Sequence, residues 1–229
     1  MDIDIPTRLA SQLSNAQLTL VRGESSSAAV CDVEAIAEAI DEFLGEADAT
    51  ATAVAPEAGA FRTILFTDME GSTSLTQKLG DAKAQDVLRT HNSIVRDALT
   101  AHSGTEIKHT GDGIMASFTS ASAALEAAVA IQKGLADHNE GNSDTPVRVR
   151  IGLNAGEPVA EDEDLFGTAV QLAARVCDKA EPGQILASNV VQELAAGKGF
   201  TFVDNGEAIL KGFEKPVRLH EVGWEPKEN

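Results

Sequence analysis

Two aspartates carry the strongest chemical signal in this sequence. Asp68 follows the apolar run Ile64-Leu65-Phe66 and precedes Met69-Glu70-Gly71-Ser72-Thr73, and Asp112 sits within His109-Thr110-Gly111-Asp112-Gly113. Brought to one place, two carboxylates suit a pair of Mg²⁺ ions. The free backbone N–H groups expected at Gly71, Ser72 and Thr73 suit the polyphosphate those ions would carry. Each aspartate also has a plainer reading, because Asp68 suits the cap of a following helix and Asp-Gly is a common turn pair. Other routes to chemistry are missing: there is no G-x-x-x-x-G-K-[ST], no G-x-G-x-x-G after a strand, no His/Cys cluster suited to zinc and no G-x-S-x-G.

The elements that must position these residues begin near Phe61. The stretch Phe61–Thr67 reads as a buried strand. Asp81 is expected to cap a helix with Val87, Leu88, His91, Ile94, Val95, Ala98 and Leu99 on one side. Thr105–Lys108 and Ile114–Phe118 flank the glycine-rich stretch that holds Asp112, which predicts a hairpin. A second helix is expected over about 120–137, with Ala124, Ala128, Ile131 and Leu135 aligned, and Val147–Leu153 alternates as a strand does. Strand, helix, strand, strand, helix, strand is the split βαβ order of ferredoxin-like domains, and it allows the first and third strands to be neighbours. Further elements follow: helices near 167–178 and 188–195, and strands near 184–187, 200–203, 207–210 and 217–222.

Composition bounds the partners. The 229 residues carry 18 Lys and Arg against 36 Asp and Glu, a formal charge of −18. That sign argues against a nucleic-acid binder or an anionic-membrane binder, both of which need a positive field. Cys31 and Cys177 make no disulfide framework, so a reducing cytoplasm is expected. The N-terminal residues have no basic region followed by an apolar core, and no apolar run approaches the ~18 residues that span a bilayer, so no membrane insertion is expected. Residues 1–60 are a different material, with eleven carboxylates against Arg8 and Arg22. They read as an acidic arm with one amphipathic helix over about 30–45 and an Ala/Thr/Pro-rich linker from Ala47 to Ala60. The main domain is expected over 61–224, with a short tail over 225–229.

Three segments in order, Phe66-Thr67-Asp68-Met69-Glu70-Gly71-Ser72-Thr73, Ile107-Lys108-His109-Thr110-Gly111-Asp112-Gly113 and Asp164-Leu165-Phe166-Gly167-Thr168-Ala169-Val170-Gln171-Leu172-Ala173-Ala174-Arg175, resemble the class III nucleotide cyclase catalytic domain. With Leu210-Lys211-Gly212 the resemblance covers roughly 61–222. It implies an α+β fold, a ferredoxin-like βαββαβ core with extra C-terminal helices and strands, and active sites between two head-to-tail subunits of a homodimer. It implies a metal site at Asp68 and Asp112, with Met69 counted beside them, for two Mg²⁺ or Mn²⁺ ions. Lys108 and Asp164 match the pair that reads adenine, Arg175 the transition-state arginine, and Lys211 the lysine that binds the triphosphate.

The base assignment has a physical logic. Adenine offers an acceptor at N1 and donors at its 6-amino group, which a lysine and a carboxylate satisfy. Guanine reverses both, and mismatched buried polar groups reject an analogue strongly. ATP is therefore expected over GTP, with cyclic AMP and pyrophosphate as products. Gln171 departs from the family, which usually has asparagine there to orient the ribose; the added methylene shifts the amide, and a shift of about 1 Å is enough to cost roughly 10²-fold in rate. The rivals are a cyclase of another base, GTP above all, and a non-catalytic nucleotide-binding or dimerisation module. A diguanylate cyclase is disfavoured, because its G-G-[DE]-E-F signature is absent.

Overall fold

The computed structural model describes residues 60–71, 77, 80–142, 145–162 and 164–225. The arm helix expected over 30–45, the linker up to residue 59, Ser72, Thr73 and the tail beyond residue 225 lie outside the described residues. Strand β1 (Arg62–Met69) shows why a sheet forms with two different faces. Successive side chains point to opposite sides of a strand. Leu65 and Met69 enter the main core, whereas Ile64 and Phe66 meet Leu165, Val170 and Ala173 on the other side.

The chain continues through α1 (Asp81–Ala101), β2 (Thr105–His109), β3 (Ile114–Phe118), α2 (Ala121–Gly141) and β4 (Val149–Gly156), the βαββαβ order expected. Then come β5 (Val159–Glu161), β6 (Asp164–Phe166), α3 (Thr168–Lys179), β7 (Ile185–Ser188), α4 (Asn189–Leu194), β8 (Phe202–Ala208) and β9 (Val217–Val222). The main sheet runs β2-β3-β1-β4-β7-β9-β8, and β5 pairs with β6 as a separate hairpin. β1 lies antiparallel between β3 and β4, so the first and third strands of the motif are neighbours.

Helices α1 and α2 supply Val95, Ala98, Leu99, Ala124, Leu125, Ala128, Ile131 and Leu135 to the main core, against Leu65, Ala116, Phe118, Ile151 and Leu153. Helix α3 covers part of the opposite face. It fits so closely that a Cβ on Gly152 of β4 would stand 2.1 Å from the Cys177 nitrogen. Buried in that seam, the Cys177 thiol is pushed up to about 12 and stays protonated at neutral pH.

Two expectations need correction, and one hairpin was not foreseen. Gly80 caps α1, with no side-chain cap bond, and Asp81 is the first helical residue, where its charge favours the N-terminal dipole. The strands expected at 200–203 and 207–210 are one strand, β8, whose register shifts between Asp204 and Glu207 with Gly206 at φ 76°. The acid run Glu161–Asp164 hides the β5–β6 hairpin; strands of three residues are too short for a period of two to register.

Candidate active site

The ends of β1 and of the β2–β3 hairpin are locked together by backbone. Met69 N–H donates to the Asp112 carbonyl at 3.2 Å. Ile114 N–H donates to Thr67 Oγ1 at 3.0 Å. Gly113 makes the approach possible, because a Cβ there would lie 1.9 Å from the Thr67 carbonyl oxygen. This contact brings Asp68 and Asp112, 44 residues apart in sequence, into hydrogen-bonding range of each other.

Asp68 has a second partner. Arg150 stands opposite it on β4, and its Nε donates to Asp68 Oδ2 at 2.6 Å. Burial raises the pKa of the Asp68 carboxyl above its usual value; Arg150 pulls it back down, and the neighbouring Asp112 pushes it up. Among the described residues no group of three or more His, Cys, Asp or Glu encloses a metal site. Two carboxylates alone fit Mg²⁺, which keeps several waters and takes its remaining oxygens from substrate phosphate. The Met69 side chain is buried in the main core, so this residue reaches the site only through its backbone.

A second cluster forms on the edge strand β2. Lys108 Nζ donates to Asp164 Oδ2 at 2.6 Å, and the ammonium lies 5.4 Å from the centroid of the Phe166 ring. Leu165 N–H donates to Asp164 Oδ1 at 2.7 Å, so the carboxylate is held from both sides. The Lys108 partner holds Asp164 below its ordinary range although partial burial opposes this. Lys108 follows a register shift between β2 and β3.

Gln171 and Arg175 lie four residues apart on α3, hence on one helical face, with Gln171 exposed. Arg175 Nη1 donates to Asp178 Oδ2 at 2.7 Å, and the Asp178 carbonyl in turn accepts Arg150 Nη1 at 3.2 Å. Gly71 lies in the exposed turn after β1, and Lys211 is exposed in the turn between β8 and β9. The fold thus unites Asp68 with Asp112 and Lys108 with Asp164. Sequence reasoning missed Arg150. Its parity along β4, shared with Gly152 and Asn154 and opposite to Val149, Ile151 and Leu153, marks the face away from the main core. Only the strand register reveals that Asp68 stands across from it.

Comparison with known proteins agrees with this architecture. Residues 57–222 match the family described as the adenylate and guanylate cyclase catalytic domain. A relative from Rhizobium meliloti (strain 1021) is 33% identical over 167 residues, which are 72% of this chain and 28% of that protein. Adenylate cyclase from Mycosarcoma maydis is 34% identical over 186 residues, covering 70% of this chain and 7% of that protein. The chain therefore spans a small part of these relatives. The crystal structure of an adenylate/guanylate cyclase/hydrolase from Silicibacter pomeroyi superposes with a TM-score of 0.65 at 31% identity, over 71% of this chain and 95% of that one. With its sheet order, its paired aspartates and these matches, the chain belongs to the class III adenylate/guanylate cyclase family through its catalytic domain.

Proposed function

We propose that this domain is an adenylate cyclase that converts ATP to 3′,5′-cyclic AMP and pyrophosphate, with two copies arranged head to tail. The observation that carries the reading is the Lys108–Asp164 pair: a donor and an acceptor 2.6 Å apart, supplied by residues 56 apart in sequence. Set side by side, they complement N1 and the 6-amino group of adenine, and present like to like against guanine. The half-covered sheet face favours a second copy. Beside the Lys108 cluster, Val159 and Phe166 pair across the β5–β6 hairpin and remain 59% and 44% exposed.

The fit of Asp68 and Asp112 to divalent cations gives the reaction its electrostatic centre. Bound Mg²⁺ or Mn²⁺ would neutralise the triphosphate and favour ionisation of the ribose 3′-hydroxyl. The protein's own groups then have separate tasks. Asp68 and Asp112 fix the cations against the sheet end, and Arg150 adds a permanent positive charge beside them. The phosphates are assigned to Gly71 together with Ser72 and Thr73, which lie outside the described residues. Arg175 leaves Asp178 to face the charge that grows on the α-phosphoryl group, and Lys211 holds the β- and γ-phosphates. Gln171 orients the ribose.

Incubating the full chain with each of the four nucleoside triphosphates, with Mg²⁺ and separately with Mn²⁺, tests this. Cyclic AMP from ATP, lost in Asp68→Ala, is expected; cyclic GMP as the main product overturns the base assignment, and no cyclic product under any condition overturns catalysis.

A further inference from the structure

We propose that Asn92 is a positioning residue for the metal site: it bridges His91 on α1 and His109 on β2, and so fixes the turn that presents Asp112. The inference rests on the reading that Asp68 and Asp112 hold divalent cations.

The β3 side of the turn is tied to β1 through the Asp112 carbonyl and Gly113, and its β2 side needs an anchor of its own. β2 is the edge strand, paired on one side only and irregular between Glu106 and Lys108. The turn itself contains Gly111 at φ 97° and Gly113, and glycines allow many backbone states. Two short bonds shape it from within, Thr110 N–H to the Gly113 carbonyl at 2.9 Å and Gly111 N–H to His109 Nδ1 at 3.1 Å.

The second of these decides the tautomer. A backbone N–H only donates, so His109 Nδ1 carries its lone pair and the ring proton of neutral His109 is on Nε2. That nitrogen meets Asn92 Oδ1 at 3.1 Å. The same oxygen meets His91 Nδ1 at 3.0 Å. One amide oxygen with two lone pairs therefore accepts from both imidazoles. His91 is fully buried, and among the described residues its Nε2 has no partner. Burial also holds its pKa below the ordinary value, which favours the neutral ring. Among the described residues the Asn92 oxygen is thus the one partner of the His91 ring. The chain runs His91, Asn92, His109, Gly111, and ends one residue from Asp112.

One helical turn further along α1, Arg96 clasps Glu106 through two bonds of 2.7 and 3.0 Å. This second clasp holds β2 at a distance from the turn, and it separates a general loosening of β2 from a specific loss of aim at Asp112.

The test measures Mn²⁺ binding to the nucleotide-free full chain, by the electron paramagnetic resonance signal of free Mn²⁺, with thermal melting alongside. Asn92→Ala removes both contacts. His109→Asn keeps an acceptor for Gly111 but cuts the link to Asn92, and His109→Gln keeps a donor to Asn92 but loses the acceptor for Gly111. His109 is exposed, so its variants fold even where Asn92→Ala does not. Weakening of Mn²⁺ affinity by about tenfold is expected for Asn92→Ala and His109→Asn, the scale of losing a partner of a metal ligand. His109→Gln, which cuts the same chain at its next link, should weaken binding as His109→Asn does, and Arg96→Ala should change affinity by less than about twofold. Unchanged affinity in Asn92→Ala and His109→Asn, while Asp112→Ala loses binding, overturns the role of Asn92 and leaves the metal reading intact. Equal loss in Arg96→Ala, or unweakened binding in His109→Gln, overturns it too. Undiminished binding in Asp112→Ala overturns the metal reading, and this inference with it.

Discussion

At the scale of single residues, small differences in size decide what this site can do. Gly113 buries its backbone against Thr67 with no space for a methyl group. Gly113→Ala must push β3 off the end of β1, and overpacking of this kind costs about 1–3 kcal/mol. Urea unfolding should show that loss, and cyclase activity should fall further than stability because Asp112 moves with the turn. Gln171 is the opposite case, an exposed amide on a well-formed helix whose longer side chain places its end differently from asparagine. If the ribose is its target, Gln171→Asn should raise kcat by up to about 10²-fold with stability unchanged. A kcat equal to or below that of the unaltered chain would remove this residue from the ribose.

These residues differ in how readable they are. Asp68 and Asp112 stand out as a pair, since each alone also reads as a helix cap or a turn residue. Arg150 does not, since Arg148 and Arg150 alternate identically along the chain and only strand register separates them. Lys108 and Asp164 look like ordinary surface charges until the fold sets them 2.6 Å apart.

At the scale of elements, α1 does more than cover the sheet: it secures the exposed edge strand that carries Lys108. The Arg96–Glu106 clasp holds Glu106 below its ordinary pKa, chiefly through the hydrogen bonds from Arg96. A depressed folded value means the unfolded chain binds the proton more readily. The stabilisation is therefore present above the ordinary glutamate pKa of 4.5 and disappears as pH falls through the depressed value. Arg96 is half exposed, so the pair contributes only about 0.5 kcal/mol. Glu106→Gln should lower the urea midpoint at neutral pH, and the gap to the unaltered chain should close in acid. A gap that stays constant with pH would show that the clasp is not electrostatic.

The long elements were legible because α1 and α2 bury a clear stripe every three to four residues. The short ones were not. β5 and β6 have three residues each, too few for a pattern, and Gly80 rather than Asp81 caps α1 although an acid at a helix start is the commoner signal.

At the scale of the molecule, one chain presents two polar clusters, Asp68 with Asp112 and Lys108 with Asp164. If two copies share them head to tail, an Asp68→Ala chain and a Lys108→Ala chain, each inactive alone, should restore each other when mixed. Random pairing makes half the dimers mixed, each with one intact site, so about a quarter of the unaltered activity should return. No recovery, with mixed dimers demonstrated by differential tagging, would place both clusters on one nucleotide within a single chain.

Taken alone, the amino-acid order determined the βαββαβ succession, the two metal-binding candidates and the excess of acid, because periodicity, glycine placement and charge are local properties. Partnership was decided only by the tertiary structure. Which arginine faces Asp68, what holds Lys108, and how Asn92 joins two histidines all depend on strand register and helix docking. Those follow from the packing of the whole core, where a shift of one residue turns every side chain of a strand to the other face.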